Sequence, residues 1–258
     1  MIKLDPTATR VVVGDIHGDI RGLRSLLERI GAIDAAGTRQ PGFYLVQLGD
    51  LLHCGHGEFV RDRATAEFCK DLFDVQLAGN HELWHAYGLE VGRFAGLDKK
   101  LFPETQEIIN YWVKQGKLGA ATSVDGWLIS HAGMHSSFFG AMPDDADVEV
   151  IADALNRVLK QKLTERKEVP MIDWIGWLRG GRNPHGGIFW ADFEELAKDK
   201  RNLIQQIVGH SPQADVRKVG ERLWCVDVGA ALSGRVPALV KRGVAAEWEP
   251  VVVRTPNK

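Results

Sequence analysis

Five times in this chain an apolar run of strand length stops at a small residue and then presents Asp, Asn or His. The endings are Gly14-Asp15-Ile16-His17-Gly18, Gly49-Asp50, Gly79-Asn80-His81-Glu82, Ser130-His131-Ala132-Gly133 and Gly209-His210-Ser211. In open α/β sheets, ligands bind at the carboxyl ends of the strands. Neighbouring strands that end this way gather Asp15, His17, Asp50, Asn80, His131 and His210 into one crevice. Any single pair is an ordinary turn dipeptide, and a lone strand-end His is more often structural than ligating. Five endings of one kind point to a shared site. The mixture of carboxylate, amide and imidazole donors suits a first-row divalent metal.

Between these endings the pattern alternates. Residues 10–13, 43–48 and 75–78 read as strands. Ile20, Leu23, Leu26, Leu27 and Ile30 recur at helical spacing, with Asp19 as N-cap and Gly31 as stop. Residues 58–73 and a segment around Ile108, Ile109, Trp112 and Val113 read as helices. Residues 118–124 and 127–130 read as two strands across an Asp125-Gly126 turn. Val148, Ile151, Ala152, Leu155, Val158 and Leu159 mark an amphipathic helix, and residues 170–187 read as irregular. Residues 204–208, 222–228, 237–241 and 246–253 read as strands. Strand and helix alternate in the first half and strands dominate the second, which predicts an α/β protein with mixed sheets.

The 258 residues suit one large domain, and we expect a single domain over 1–258. With 32 basic and 34 acidic side chains, the net charge of −2 offers no general attraction for nucleic acid or anionic lipid. Stable nucleic-acid binding and membrane association are not expected. No apolar run approaches the ~18 residues of a membrane span, and the first ten residues lack the apolar core of a signal peptide. Three scattered Cys argue against a disulfide framework. A cytoplasmic location is the resulting expectation.

The five endings, in this order, resemble the motifs of the calcineurin-like metallophosphoesterases, in particular the branch of phosphoprotein phosphatases and diadenosine tetraphosphate hydrolases. The resemblance spans residues 10 to about 230. It implies a four-layer αββα sandwich with two mixed β-sheets and a dimetal site at the strand ends. It implies Asp15 and His17 on one metal, Asn80, His131 and His210 on the other, and Asp50 bridging both. Manganese is the first expectation for both ions, with iron or zinc as alternatives. The implied reaction is in-line attack on phosphorus by a hydroxide bridging two ions, in a centre left positive enough to favour a phosphate anion. His81 would protonate the leaving oxygen. Phosphomonoesters lead as the substrate class, in the manner of serine/threonine phosphatases. A phosphodiesterase, a dinucleoside polyphosphate hydrolase and a catalytically impaired phosphate-binding module are the alternatives. The expected partner is a phosphorylated small molecule or nucleotide, ahead of a phosphoprotein.

The chain departs from the branch at one motif. Where phosphoprotein phosphatases continue Gly-Asp-x-x-Asp-Arg-Gly, it has Gly49-Asp50-Leu51-Leu52-His53-Cys54-Gly55. Cys54 cannot replace a guanidinium that grips phosphate. A reactive Cys54 thiol and a His53-Cys54-His56 metal cluster are weaker readings than a plain turn. Arg182 and then Arg179, in a Gly-flanked stretch, are the candidates to supply the missing phosphate contact. Trp174, Trp177 and Trp190 lie near that stretch, with core packing their default role. Asp192 reads equally as support for a site residue and as the N-cap of a helix. Finally, residues 81–85 formally match H-E-x-x-H. A zinc-protease site needs both His on an established helix, whereas here a helix is only beginning, so His85 reads as a surface or supporting residue.

Overall fold

The computed structural model describes residues 5–52, 59–87, 103–141, 147–165 and 167–256. Eleven strands are described: β1 Thr9–Val13, β2 Phe43–Gln47, β3 Val75–Leu77, β4 Leu118–Gly119, β5 Ala121–Val124, β6 Trp127–Ser130, β7 Gln206–Val208, β8 Arg217–Val219, β9 Leu223–Cys225, β10 Arg235–Arg242 and β11 Glu249–Arg254. The helices are α1 Ile20–Ile30, α2 Phe59–Cys69, α3 Asn80–Tyr87, α4 Pro103–Lys114, α5 Val148–Glu165, α6 Pro170–Asp173, α7 Phe193–Lys198 and α8 Ala230–Ser233. One sheet has the order β11-β10-β1-β2-β3-β4 and the other β5-β6-β7-β9-β8. Parallel pairing runs from β1 to β4 and through β6, β7 and β9. β10, β11, β5 and β8 are antiparallel to their neighbours, so both sheets are mixed.

Side-chain alternation makes the layers. Val11 and Val13 of β1 pack with Leu23, Leu26 and Leu27 of α1 and with Ile109 and Trp112 of α4. Val12, between them, faces the other way, into a core shared with Ile129, Ile207 and Trp224 of the second sheet. The far side of that sheet is covered by α5 through Ile151, Leu155 and Leu159 and by α7 through Phe193 and Leu196. The result is the αββα sandwich. Helix α1 starts where its sequence predicts, with the Asp19 carboxylate accepting the Gly22 N–H at 3.0 Å, a cap that contributes about 1 kcal/mol.

Two expectations need correction. Residues 118–124 are not one strand: β4 pairs in the first sheet and β5 in the second. The chain crosses at Ala120, where Asn156 of α5 accepts the Ala120 and Ala121 N–H groups at 2.7 and 3.3 Å. The same amide donates to the Ala121 carbonyl at 2.9 Å, so a side chain from a distant helix holds the break. The stretch 170–187, expected to be irregular, contains α6 and a 3₁₀ turn, Trp177–Arg179. Among the described residues, no helix is long and apolar enough to cross a membrane, and Cys69 and Cys225 are free and buried.

Candidate metal centre

β1, β2 and β3 are parallel neighbours in one sheet, and β6 and β7 in the other. Their carboxyl ends meet, and the structure brings together Asp15, His17, Asp50, Asn80, His81, His131 and His210. Two groups of candidate ligand atoms share Asp50: His17, Asp50 and His81, and then Asp50, His131 and His210, with the atoms of each group within 4.8 Å of one another. The Asp50 Oδ2 lies 3.7 Å from His17 Nε2, 3.8 Å from His81 Nε2 and 3.6 Å from His131 Nε2. Asn80 Oδ1 is 2.9 Å from His131 Nε2, and His210 Nδ1 is 3.2 Å from the same nitrogen. Asp15 joins the set through its Oδ2, which accepts the His210 N–H at 3.1 Å.

The backbone is shaped for this convergence. Among the described residues four non-glycine positions have positive φ, and three of them are His17 (47°), Asp50 (51°) and His210 (66°). Left-handed backbone at such residues costs about 1–3 kcal/mol each and persists where surroundings impose it. Here the Asp50 carbonyl accepts the Ile16 and His17 N–H groups at 3.1 and 2.9 Å, tying the first two loops together. A Cβ on Gly79 would lie 2.0 Å from Asp50 Oδ1, so only glycine lets the third loop pass. Glu82, in the first turn of α3, was not singled out from the sequence as a site residue, yet it clamps the centre. Its Oε2 accepts the N–H groups of Asp50 and Gly79, each at 2.8 Å, and its Oε1 that of Leu52 at 3.1 Å. The available signal was a carboxylate three residues into a helix start beside a glycine turn.

The donor set fits a cation. His131 Nδ1 faces the Leu48 carbonyl at 3.1 Å, so in the neutral ring that nitrogen carries the proton and Nε2 presents a lone pair. The lone pair points at the Asn80 oxygen, the Asp50 carboxylate and the His210 ring, all of them acceptors or potential acceptors. Burial holds the His131 imidazole below its usual pKa and that of His210 well below it, so a proton is a poor answer to this crowding. The Asp15 Oδ1 and the His210 Nε2 are buried without a hydrogen-bond partner. A divalent ion between such atoms would satisfy them. Burial also resists ionisation of Asp50, but the imidazoles of His81, His131, His17 and His210 outweigh it and hold its carboxyl far below the ordinary range.

Around the centre, Arg179 Nη2 donates to the His210 carbonyl at 3.0 Å, and Nη1 lies 3.7 Å from Asp192. Arg182, ranked ahead of it from sequence, is exposed. Asp192 is the N-cap of α7, accepting the Glu194 N–H at 2.9 Å. Trp190 sets its ring edge on His210 with centroids 5.8 Å apart, while Trp177 is 66% exposed. His85 is buried, not at the surface, and its Nδ1 meets the His81 carbonyl at 3.0 Å. It enters neither ligand group, and Glu82 is committed to three backbone N–H groups, so the H-E-x-x-H match has no free base. His53, Cys54 and His56 lie outside the described residues. A cleft of about 1030 Å³ lies elsewhere, at the opposite end of β3, and gathers none of these residues.

Comparison with known proteins gives the family and the fold. Residues 8–225 match the sequence profile of the calcineurin-like phosphoesterases. The asymmetrical bis(5′-nucleosyl)-tetraphosphatase of Geobacillus thermodenitrificans is 25% identical over 247 residues, 88% of each chain. A crystal structure described as that of "a putative diadenosine tetraphosphatase" superposes with a TM-score of 0.54 at 19% identity, covering 97% of this chain and 96% of the other. A Saccharomyces cerevisiae serine/threonine phosphatase with similarity to human phosphatase PP5 gives 0.55 at 15% identity, over 98% of this chain and 82% of that one. At these identities the two structures share the fold.

Proposed function

The chain belongs to the calcineurin-like phosphoesterase family, and on that premise we propose that it hydrolyses phosphoanhydrides of dinucleoside polyphosphates at the strand-end centre. The observation that carries this reading is the pair of ligand groups sharing Asp50. Asp15 and His17 would hold one divalent ion, Asn80, His131 and His210 the other, and Asp50 both. The mixed oxygen and imidazole donors suit manganese. Two such ions would supply a nucleophile at neutral pH and offset the charge that develops on the phosphoryl oxygens.

The chain's own groups do the rest. Leu48 locks the His131 ring so that Nε2 faces inward. Glu82 and the His81 N–H hold the Asp50 carboxylate and its loop in register. The Arg179 guanidinium is fixed by the His210 carbonyl and Asp192, which leaves donors to orient a phosphate. Arg182, exposed farther along the same loop, offers a second contact for a long polyphosphate. His81, with its Nε2 beside Asp50, gives a proton to the leaving oxygen. Similarity to the bacterial tetraphosphatase along most of both chains supports a dinucleoside polyphosphate substrate. Phosphomonoesters are the second reading, favoured by Arg179, whose fork suits a terminal dianion.

The test compares diadenosine tetraphosphate, p-nitrophenyl phosphate and a phosphopeptide in Mn²⁺, with wild type, Asp50→Asn and Arg179→Ala. The tetraphosphate should turn over fastest. Asp50→Asn should abolish turnover, and Arg179→Ala should raise KM about 10-fold, the loss of one charge-assisted contact. Faster turnover of the monoester reverses the ranking. Bound metal without turnover of any substrate leaves a phosphate-binding module.

A further inference from the structure

Of the eight Trp, Trp84, Trp112, Trp127, Trp190, Trp224 and Trp248 are buried and Trp174 is half-buried, whereas Trp177 is 66% exposed. Leu178, beside it, is 58% exposed. Indole carries a large apolar surface that a folded chain gains by covering, so an open one calls for a reason. A loose loop is not the reason. The 3₁₀ turn Trp177–Arg179 is closed at both ends: the Trp177 N–H donates to the Asn183 carbonyl at 3.0 Å, the Asn183 N–H to the Ile175 carbonyl at 3.2 Å, and the Gly180 N–H to the Trp177 carbonyl at 3.0 Å. The base of the turn is wedged into the protein. A Cβ on Gly176 would lie 2.3 Å from Glu195 Oε1, and one on Gly181 2.0 Å from the Ile175 carbonyl oxygen. Ile175 itself is buried. A fixed frame therefore holds an apolar tip in water.

The same turn ends in Arg179, whose guanidinium donates to the His210 carbonyl at 3.0 Å. A 3₁₀ turn rises about 2 Å per residue, so Trp177 stands about 4 Å along its axis from Arg179. That is close enough for a base and a phosphate of one bound molecule to meet both. The strand-end groups and the arginines address phosphate alone. The other indole at the site, Trp190, is buried with its edge on His210 and offers no open face. Nucleobases stack on exposed aromatic rings irrespective of their hydrogen-bonding edges. We propose that Trp177 is a specificity-determining residue: one nucleobase of a dinucleoside polyphosphate stacks on its indole, with Leu178 extending the apolar surface, while Arg179 orients a phosphate. This inference rests on the dinucleoside polyphosphate reading and adds base recognition to it. Stacking on a ring away from the reacting atoms aids binding and leaves the chemical step alone, so its loss falls on KM.

The experiment compares wild type, Trp177→Ala and Trp177→Phe in Mn²⁺, with diadenosine tetraphosphate as substrate and inorganic tripolyphosphate, which has no base, as competing inhibitor. Trp177→Ala should raise KM for the tetraphosphate about 10-fold, the loss of one stacked base, with kcat within about 3-fold of wild type. The Ki of tripolyphosphate should stay within about 2-fold, because no base is involved. Trp177→Phe keeps an aromatic face and should recover most of the loss. The tetraphosphate should quench the part of the fluorescence that Trp177→Phe removes, and tripolyphosphate should not. An unchanged KM in Trp177→Ala overturns the inference and leaves the substrate reading standing. A parallel rise in the Ki of tripolyphosphate, or a lowered melting temperature in both variants, overturns it in favour of a role in shaping the Arg179 turn. Loss of a dimer on gel filtration with wild-type KM overturns it in favour of a contact between copies. A wild type that neither binds nor hydrolyses diadenosine tetraphosphate overturns the substrate reading and this inference with it.

Discussion

His81 shares a candidate ligand group with His17 and Asp50, and the proposed reaction gives it the role of proton donor instead. Its ring packs edge-on against His17 with centroids 4.8 Å apart, and its own N–H donates to Asp50 Oδ1 at 3.0 Å. The side chain is therefore held twice, through its backbone and through the Asp50 charge, with Nε2 directed at the reacting region. In the proposed reaction the proton for the leaving oxygen comes from this ring. His81→Ala should keep both ions, which in the proposed arrangement the other residues hold. It should lower kcat on alkyl phosphates by about 10²–10⁴-fold, the usual size of general-acid assistance. On p-nitrophenyl phosphate, whose phenolate leaves with little help, the loss should shrink. Parallel kcat measurements on the two substrates check this, and equal losses refute a proton-donor role.

At the scale of elements, helix α3 serves the site through its first turn. Asn80 and His81 come from that turn, and its N-terminal N–H groups favour the neighbouring Asp50 anion. Glu82 binds three loop N–H groups from the same turn, but burial and then the Asp50 charge push its carboxyl up to about 8. With the folded value above the unfolded one, the contribution of Glu82 is fully present below pH 4.5, the usual glutamate value, and is lost as pH rises through about 8. Glu82→Gln does not titrate. In chelator, the stability advantage of wild type over Glu82→Gln should therefore narrow, by on the order of a few kcal/mol, between those pH values. Thermal melts across that range measure it. An advantage that grows with pH would show that the three N–H donors keep Glu82 ionised throughout.

For the whole molecule, two sheets from distant stretches of chain deliver like charges to one dry place. Asp15, Asp50, Glu82 and Asp227 are all buried there. Such a set is unfavourable until cations arrive, so ion binding should be coupled strongly to stability. At an ion concentration 100 times Kd, each ion adds about 2.7 kcal/mol. For a chain of this size, that raises Tm by roughly 5–10 °C. Melting with and without Mn²⁺, against a chelated control, should show a shift of at least that size that grows with ion concentration. A shift that Asp50→Asn retains in full would place the ion elsewhere.

The sequence by itself determined the strand endings, because a strand that stops at Gly before Asp or His must leave that side chain at its carboxyl end. It also determined α1, whose cap, apolar spacing and terminal glycine agree with one another. Periodicity is local, and these features needed only local information. Tertiary structure decided what depends on two distant segments meeting. The break between β4 and β5 rests on Asn156 from α5. The choice of Arg179 as the guanidinium on the His210 carbonyl rests on where a loop folds back, which two Gly-flanked arginines cannot reveal. The clamp of Glu82 requires three N–H groups from two separate loops, a meeting that no local pattern encodes.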